Sequence, residues 1–347
     1  MSDRLMIRSC RDAKEWDAFV DCIPWATPQH AFVWGRTLEN SFVYLRQTYR
    51  LFSLKDRVVA GLPLIRLSAG WPFRALYSLV FGSYGGPLIH PEHLDDRDLF
   101  RRISAEIDSE ALRYGAFEAR LMVPASAPEA VIRCLQGDDR AMYLRCSCPL
   151  LALDRPFDQV VRGYSSSVRR AIRRSVREGV IIEENAEIAR VRQAYPIYRK
   201  TMDRIGGTAK PWRFLEALLR EKLAVPFLAQ RDGSLVGVVI LLVSRRMATY
   251  WVSAADPAAS TWRPTNALVD HAIRWCHGHG IPLFNFGESH RERPGLVRFK
   301  EEWGTRPAES TMVVRIYRPR IQRIWYALEP VARRSYAIWD QLITGVS

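Results

Sequence analysis

The sequence predicts an α+β fold built twice in tandem. Three observations predict it: a strand, tight turn, strand, helix, glycine, strand order in the second half of the chain, a weaker copy of that order in the first half, and a set of well-signalled helices between the two. Antiparallel hairpins followed by a helix and a further strand make a sheet with helices packed against it. One order met twice reads as two copies of one domain, and a length of 347 residues accommodates about two domains of ~150 residues each.

In the second half, Pro226–Gln230 and Leu235–Val243 are strands joined by the hairpin turn Arg231-Asp232-Gly233. Ser244-Arg245-Arg246 turns the chain again into a strand at Ala248–Ser253. Pro264-Thr265-Asn266 opens a helix whose apolar residues Leu268, Val269, Ala272, Ile273 and Cys276 keep helical spacing, and Gly278 and Gly280 stop it before a strand at Ile281–Phe286. In the first half, Leu51–Leu54, the turn Lys55-Asp56-Arg57 and Val58–Ile65 mirror that hairpin, with Gly61 in the role of Gly237. A helix from Asp96 to Tyr114 ends at Gly115, and a strand follows at Ala116–Met122. Pro149, Asp154 and Pro156 break the pattern, so the expected domains are 1–150 and 151–318. Between the copies, Ser165-Ser166-Ser167 precedes a helix at Val168–Glu178, Pro196 one at Ile197–Ile205, and Pro211 one at Trp212–Ala224. Residues 319–347 read as a terminal helix, Ile321 to Leu342, rich in Trp, Tyr and Arg.

Composition narrows the function classes. Apolar residues make up 48% and charged residues 25%, the proportions of a folded globular chain, so disorder and a disulfide miniprotein are excluded. The longest apolar run, Leu235 to Val243, has nine residues, about half of what a membrane-spanning helix needs. No apolar stretch follows Met1-Ser2-Asp3-Arg4, so the expected location is the cytoplasm, extending to the inner face of the membrane. The six cysteines form no C-x-x-C pair, and Cys276-His277-Gly278-His279 has no second ligand cluster, so reduced thiols and no metal are expected. A formal charge of +14 favours an anionic partner. Only six of the 51 basic residues are lysine, at positions 14, 55, 200, 210, 222 and 300.

Phe284-Asn285-Phe286-Gly287-Glu288-Ser289, followed by Gly295-Leu-Val-Arg-Phe-Lys-Glu-Glu-Trp-Gly304, resembles the Fem-type acyltransferases of the GNAT superfamily, with their F-D-F-G, a short loop, then G-x-x-x-F-K-x-x-W-G. Asn285 stands where aspartate is common. Ser83-Tyr-Gly-Gly-Pro87, the basic stretch Ser167–Gly179 and Tyr198–Gly206 support the resemblance, which spans roughly residues 30 to 315. It implies two tandem GNAT-like domains plus the terminal helix. It also implies transfer of an aminoacyl or acyl group onto an amine of a cell-envelope precursor, of peptidoglycan or exopolysaccharide type. The donor would be a co-substrate, aminoacyl-tRNA or acyl-CoA, with no resident cofactor. Partners would be the precursor amine and tRNA; oligomeric state is not indicated. Two alternatives stand beside this reading: an acyl-CoA-dependent GNAT acetyltransferase in exopolysaccharide modification, and a noncatalytic RNA- or membrane-surface-binding protein on the same scaffold.

Candidate residues follow from the chemistry. Lys300 is the only lysine after residue 222 in an arginine-writing chain, and a compact ammonium suits a developing oxyanion or a donor phosphate. Glu288 or His290, directly after the last strand, would take the amine's proton; Glu301 and Glu302 are further candidates. Arg263 and Asn266 at a helix start would hold a phosphate, although Ser260–Asn266 has none of the glycines typical there. Arg298 is assigned to substrate with them. Arg169 and Arg173 lie on one i, i+4 row of a helix whose buried stripe would be Val168, Ala171, Ile172 and Val176. Tyr84-Gly85-Gly86 would make a backbone turn at the acceptor. The aromatic and arginine residues of the terminal helix suit a peripheral membrane contact.

Overall fold

The computed structural model describes residues 5–78, 80, 84–136, 141–289 and 293–329. In chain order the elements are β1 (Met6–Cys10), α1 (Ala13–Asp21), α2 (Phe32–Ser41), β2 (Leu45–Leu54), β3 (Arg57–Ser68), β4 (Arg74–Tyr77), β5 (Leu88–Ile89), α3 (Arg97–Tyr114), β6 (Glu118–Val123), α4 (Glu129–Leu135), β7 (Ala141–Ser147), β8 (Leu150–Ala152), α5 (Phe157–Arg162), α6 (Ser166–Arg177), β9 (Ile181–Glu184), α7 (Ile188–Arg204), α8 (Trp212–Arg220), β10 (Ala224–Arg231), β11 (Ser234–Val243), β12 (Ala248–Ala255), α9 (Pro264–Gly278), β13 (Leu283–Asn285), α10 (Pro294–Glu301) and β14 (Glu309–Ile316). Residues 319–329 are helical. The α+β class holds: the described strands form two mixed sheets, each flanked by helices.

The first sheet runs β1-β2-β3-β4-β6-β14-β7, with β5 beside β3; the second runs β8-β13-β12-β11-β10-β9. The order strand, two helices, three antiparallel strands, helix, strand therefore occurs twice, as β1-α1-α2-β2-β3-β4-α3-β6 and as β9-α7-α8-β10-β11-β12-α9-β13. The described chain divides into two compact units: residues up to Cys146 together with 309–329, and Ser147–Ala308. The expected boundaries at 150 and 318 differ from this division. β14 returns to the first sheet, pairing antiparallel with β6 from Thr311 opposite Val123 to Ile316 opposite Glu118. In the second sheet the short β8, antiparallel to β13, forms the edge instead.

Both hairpins carry a bulge, and it corrects the expected equivalence of Gly61 and Gly237. In the first unit Phe52 faces Ala60 and Ser53 faces Val58, leaving Val59 extra. In the second, Ala229 faces Gly237 and Gln230 faces Leu235, leaving Val236 extra. Counted from the turns, Gly237 corresponds to Ala60. Neighbouring strand residues point to opposite faces, so the two glycines make room on opposite sides. A Cβ on Gly61 would lie 2.8 Å from Phe19 of α1, and one on Gly237 would lie 3.1 Å from Leu268 of α9.

Local signals account for most helix ends. Asp96 accepts from the amides of Asp98 and Leu99, and Gly115 closes α3 in the left-handed conformation. Ser165 caps α6 through the amide of Val168. Helix α7 departs from expectation: it begins at Ile188 and carries Pro196 in its interior. The buried residues Val191, Ala194, Tyr195 and Tyr198 continue the helical period across the proline, and that packing outweighs the missing amide bond. The helix after residue 318 packs on the first unit. Trp325 lies 5.5 Å from Phe73 and 6.2 Å from Phe117, while Gln322 and Tyr326 each donate to Glu118 at 2.6 Å. The expected continuation from 330 to 347 lies outside the described residues.

Candidate active site

The second unit contains a splayed pair of strands. β13 runs parallel to β12 and pairs with it only at Ala248↔Phe284 and Thr249↔Asn285, whereas β12 continues to Ala255 beside β11. Ile240 faces Val252 and Leu241 faces Tyr250, so Trp251 is bulged out of the ladder. At the far end of β12 lies a cleft of about 330 Å³ lined by Ser253–Pro257, Ser260, Arg263–Asn266, and Thr201 and Arg204 of α7.

Two of the expected substrate residues, Arg263 and Asn266, meet in this cleft. Arg263 sits in the left-handed region at φ 59°, immediately before Pro264. Its carbonyl accepts from the amides of Asn266 at 3.1 Å and Ala267 at 3.2 Å. Since Pro264 has no N–H, few backbone amides remain for an anion, and the positive end of the α9 dipole together with the two guanidinium groups supplies the attraction instead. Arg204 was not anticipated from the sequence.

Lys300 and Glu288 meet at the other end of the splay. The Lys300 ammonium is buried and donates to the carbonyls of Gly287 at 2.8 Å and Glu288 at 2.9 Å. Burial lowers its pKa to about 8, partly offset by the charge of Glu288 and by Cys148. The turn it holds is built by Asn285: its Oδ1 accepts from the Gly287 amide at 2.7 Å and from the Cys148 thiol at 3.2 Å. Gly287 adopts φ 72°, and a Cβ there would lie 3.3 Å from the Tyr250 carbonyl, so the position requires glycine on both grounds. Glu288 is half-buried. His290 lies outside the described residues.

The remaining candidates are elsewhere. Arg298 is exposed and faces Glu302 at 3.5 Å. Arg169 bonds the carbonyls of Tyr164 and Arg162, so it secures the start of α6, and Arg173 is exposed; neither lines the cleft. The stripe of α6 is also corrected: Val168 and Ser175 are buried, whereas Val176 is 71% exposed. Ser175 fits inside because its hydroxyl bonds the Ile172 carbonyl at 2.7 Å. In the first unit, Tyr84 is fully buried, and the amides of Gly85 and Gly86 both donate to the Met122 carbonyl at 2.9 and 3.0 Å. That turn spends its amides on its own sheet. Buried His30 supports it through a 3.1 Å bond to the Gly85 carbonyl.

One residue that the sequence reading left aside is Lys210, between α7 and α8. Its ammonium lies 4.7 Å from the Trp251 ring centroid and 3.5 Å from the Tyr198 hydroxyl. The rarity of lysine that singled out Lys300 applied equally to it.

Comparison with known proteins agrees with this geometry. Residues 162–301, which hold the splayed strands, the cleft and the Lys300 turn, match the acetyltransferase (GNAT) domain family. The match lies within the second unit. Among solved structures the whole chain is similar to FemX, with a TM-score of 0.73 at 12% identity, covering 94% of this chain and 100% of that one. It is also similar to a tandem GNAT protein from the clavulanic acid biosynthesis pathway, with a TM-score of 0.53 at 14% identity over 90% and 98% of the two chains. For L-PGS from Bacillus licheniformis the TM-score is 0.54 at 12% identity, over 88% and 92%. At these identities the likeness is one of fold, and it is the Fem-type tandem fold that the motif at 284–304 pointed to. No curated protein matches the chain in sequence. Among the described residues, no helix is long and apolar enough to cross a membrane, and no three His, Cys, Asp or Glu side chains form a group suited to a metal ion.

Proposed function

We propose that the protein is an N-acyltransferase that moves an acyl or aminoacyl group from a phosphate-bearing donor onto an amine of a cell-envelope precursor. The observation that carries this reading is the arrangement along β12: a cationic cleft at Ser253–Ala255 and the splay at Tyr250, where the Lys300-held turn stands. Three to five residues of strand separate them, about 10–16 Å. The donor phosphate would rest at Arg204, Arg263 and the start of α9, with its carbonyl beside Tyr250. That separation favours acyl-CoA, whose thioester lies a long arm away from its phosphates, over an aminoacyl ester one sugar from the nearest phosphate.

An ester or thioester is already activated, so the amine attacks the carbonyl directly and no covalent enzyme intermediate is required. Lys300 gives two N–H bonds to the turn, and in this reading its third would meet the oxyanion. Glu288, which belongs to that turn, would accept the amine's proton. Collapse of the tetrahedral intermediate forms the amide and expels the donor's thiolate or alkoxide. The envelope acceptor follows from the Fem-type resemblance. A peripheral contact at the inner membrane face belongs to the same proposal, supported by Ile324 and Leu328, 53% and 47% exposed, beside the exposed Arg320 and Arg323.

The test is to incubate purified protein with an envelope-precursor amine and either labelled acetyl-CoA or labelled aminoacyl-tRNA. Label should appear in the amine from one donor, with acetyl-CoA favoured. If neither donor transfers label and calorimetry detects no binding of coenzyme A or of the aminoacyl-tRNA, the acyltransferase reading is overturned in favour of a binding protein.

A further inference from the structure

The head of Lys210 is held in a built position. Tyr195 donates its hydroxyl to the Lys210 carbonyl at 2.9 Å, and the Lys210 amide donates to the Tyr198 hydroxyl at 3.2 Å. The ammonium then lies over the Trp251 indole at 4.7 Å and beside the Tyr198 ring at 5.9 Å, while Trp251 is itself fixed edge-on against Phe214 at 5.9 Å. An unconstrained lysine carries its head into water. This one is half-buried against two aromatic rings, and among the described residues no carboxylate comes within ion-pair distance. Burial alone accounts for its depressed pKa of about 8. A cation–π contact returns only part of what an ammonium loses on partial burial, and the side of the ammonium away from the rings is open to an anion.

We infer that Lys210 supplies the counter-charge for an anionic oxygen group of the acceptor, a carboxylate or a phosphate, which binds against Tyr198 and Trp251. Its place in the fold supports this. Trp251 is the bulged residue of β12, one position after Tyr250, where β13 stops, and two before Ser253, which lines the donor cleft. The bulge brings both Trp251 and its neighbour Val252 against α7 and α8: Trp251 meets Phe214, and Val252 lies with Tyr195, Tyr198 and Trp212. Tyr198 stands one turn before Thr201, a wall of that cleft. The acyl-transfer reading gives Arg204 and Arg263 to the donor phosphate, which leaves Lys210 for the second substrate. Naming that substrate as the acceptor rests on the acyl-transfer reading; the binding of the anion does not.

The experiment uses the full chain with its lysines ¹³C-methylated and followed by NMR as pH is raised, the Lys210 signal being assigned by its loss in Lys210→Arg. Should that variant fail to fold, proximity to the Trp251 ring protons gives the assignment. Lys210 should titrate near pH 8, and its midpoint should rise by about one unit, a tenfold tighter hold on the proton, when its anion is present. Acetate moving it identifies a carboxylate, inorganic phosphate a phosphoryl group, and chloride should do neither. A midpoint that neither anion moves, or one that coincides with the surface lysines, overturns the inference. In the transferase assay, Lys210→Met should raise the acceptor KM tenfold or more while leaving donor KM and kcat within about twofold, and Lys210→Arg should restore part of the loss. Anion binding without transferase activity would overturn the acyltransferase reading alone; transferase activity with no response of Lys210 would overturn this inference alone.

Discussion

Replacing Lys300 by Met keeps the aliphatic stem and removes the ammonium, so it separates what the charge does from what the packing does. In the folded chain that ammonium is buried and its pKa falls from 10.5 to about 8. A difference of about 2.5 units is a penalty of ~3 kcal/mol on the folded state below pH 8. Between pH 8 and 10.5 the unfolded chain keeps the proton and the folded chain releases it. The unfolded state therefore binds more protons there, and stability rises with pH through that window. Lys210 has the same values, so the wild type should gain up to about 2.7 kcal/mol per pH unit from the two lysines, and Lys300→Met about half of that. The buried thiols of Cys134 and Cys276, raised by burial, act in the opposite direction above pH 9, and Tyr198 and Tyr250, pushed up to about 12 by burial, above pH 10. These are common to both proteins, so the difference between the two slopes is what reports Lys300.

At neutral pH the substitution relieves that ~3 kcal/mol but leaves the Gly287 and Glu288 carbonyls unpaired, at ~1–3 kcal/mol each. The net effect lies between about 1 kcal/mol stabilising and about 3 kcal/mol destabilising. Acyl transfer should fall by ~10²–10³ if the third N–H meets the oxyanion. Urea unfolding of both proteins at intervals from pH 7 to 10, beside the transfer assay, measures both quantities. Equal pH slopes would refute the buried, unpaired ammonium, and unchanged turnover would remove Lys300 from the chemistry.

Gly304→Ala should destabilise the second unit by ~3 kcal/mol or more in urea unfolding, because its φ is 73° and a Cβ would stand 2.7 Å from the Gly163 carbonyl; wild-type stability would contradict that contact. Removing Arg204 and Arg263 together should weaken coenzyme A binding at least tenfold in calorimetry and reduce its salt dependence, since exposed charge acts over a screened range; unaltered binding moves the donor phosphate elsewhere. Burial pushes the His30 imidazole from 6.5 down to about 4, so between these values the unfolded chain takes up a proton that the folded chain refuses. About 3 kcal/mol of stability should be lost as pH falls through that window, and thermal melts of His30→Gln should lack this component.

The hairpins, α3 with its Asp96 cap and Gly115 stop, and α9 ending before Gly280 were legible because each is specified by neighbouring residues. What escaped the sequence is set by distant ones. The exchange of β14 into the first sheet depends on partners such as Val123 opposite Thr311, and nothing in the alternation of residues 309–316 names the sheet they join. The three-residue β8 is too short to carry a pattern. Gly61 and Gly237 each interrupt an apolar strand and so look equivalent, although the bulges at Val59 and Val236 fall at the same place and leave the two glycines one residue apart. Val176 keeps helical spacing and still faces water, because α6 packs on α9 along the row through Val168 and Ile172. Of the candidate site, Lys300 was singled out by its rarity, and Arg263 and Asn266 by their place at a helix start. Lys210 and Trp251 meet across 41 positions of sequence, and no local motif marks such a pair.

The motif that pointed to the fold is mainly a device for shaping one turn. Phe284, Phe286 and Trp303 are fully buried in the second core, Gly287 allows the left-handed turn, Gly304 allows close approach to Gly163, and Lys300 bonds two carbonyls of the turn. Asn285 fits this role without aspartate's charge: what the turn needs is an acceptor for the Gly287 amide, and an amide oxygen provides it while burying no carboxylate. Its Nδ2 faces the Met247 sulfur at 3.7 Å, a contact that an aspartate could not donate. The cations proposed to meet ligands, Arg204, Arg263 and Lys210, all lie outside the motif. A likeness of fold at 12% identity therefore does not extend to the residues that would choose a ligand.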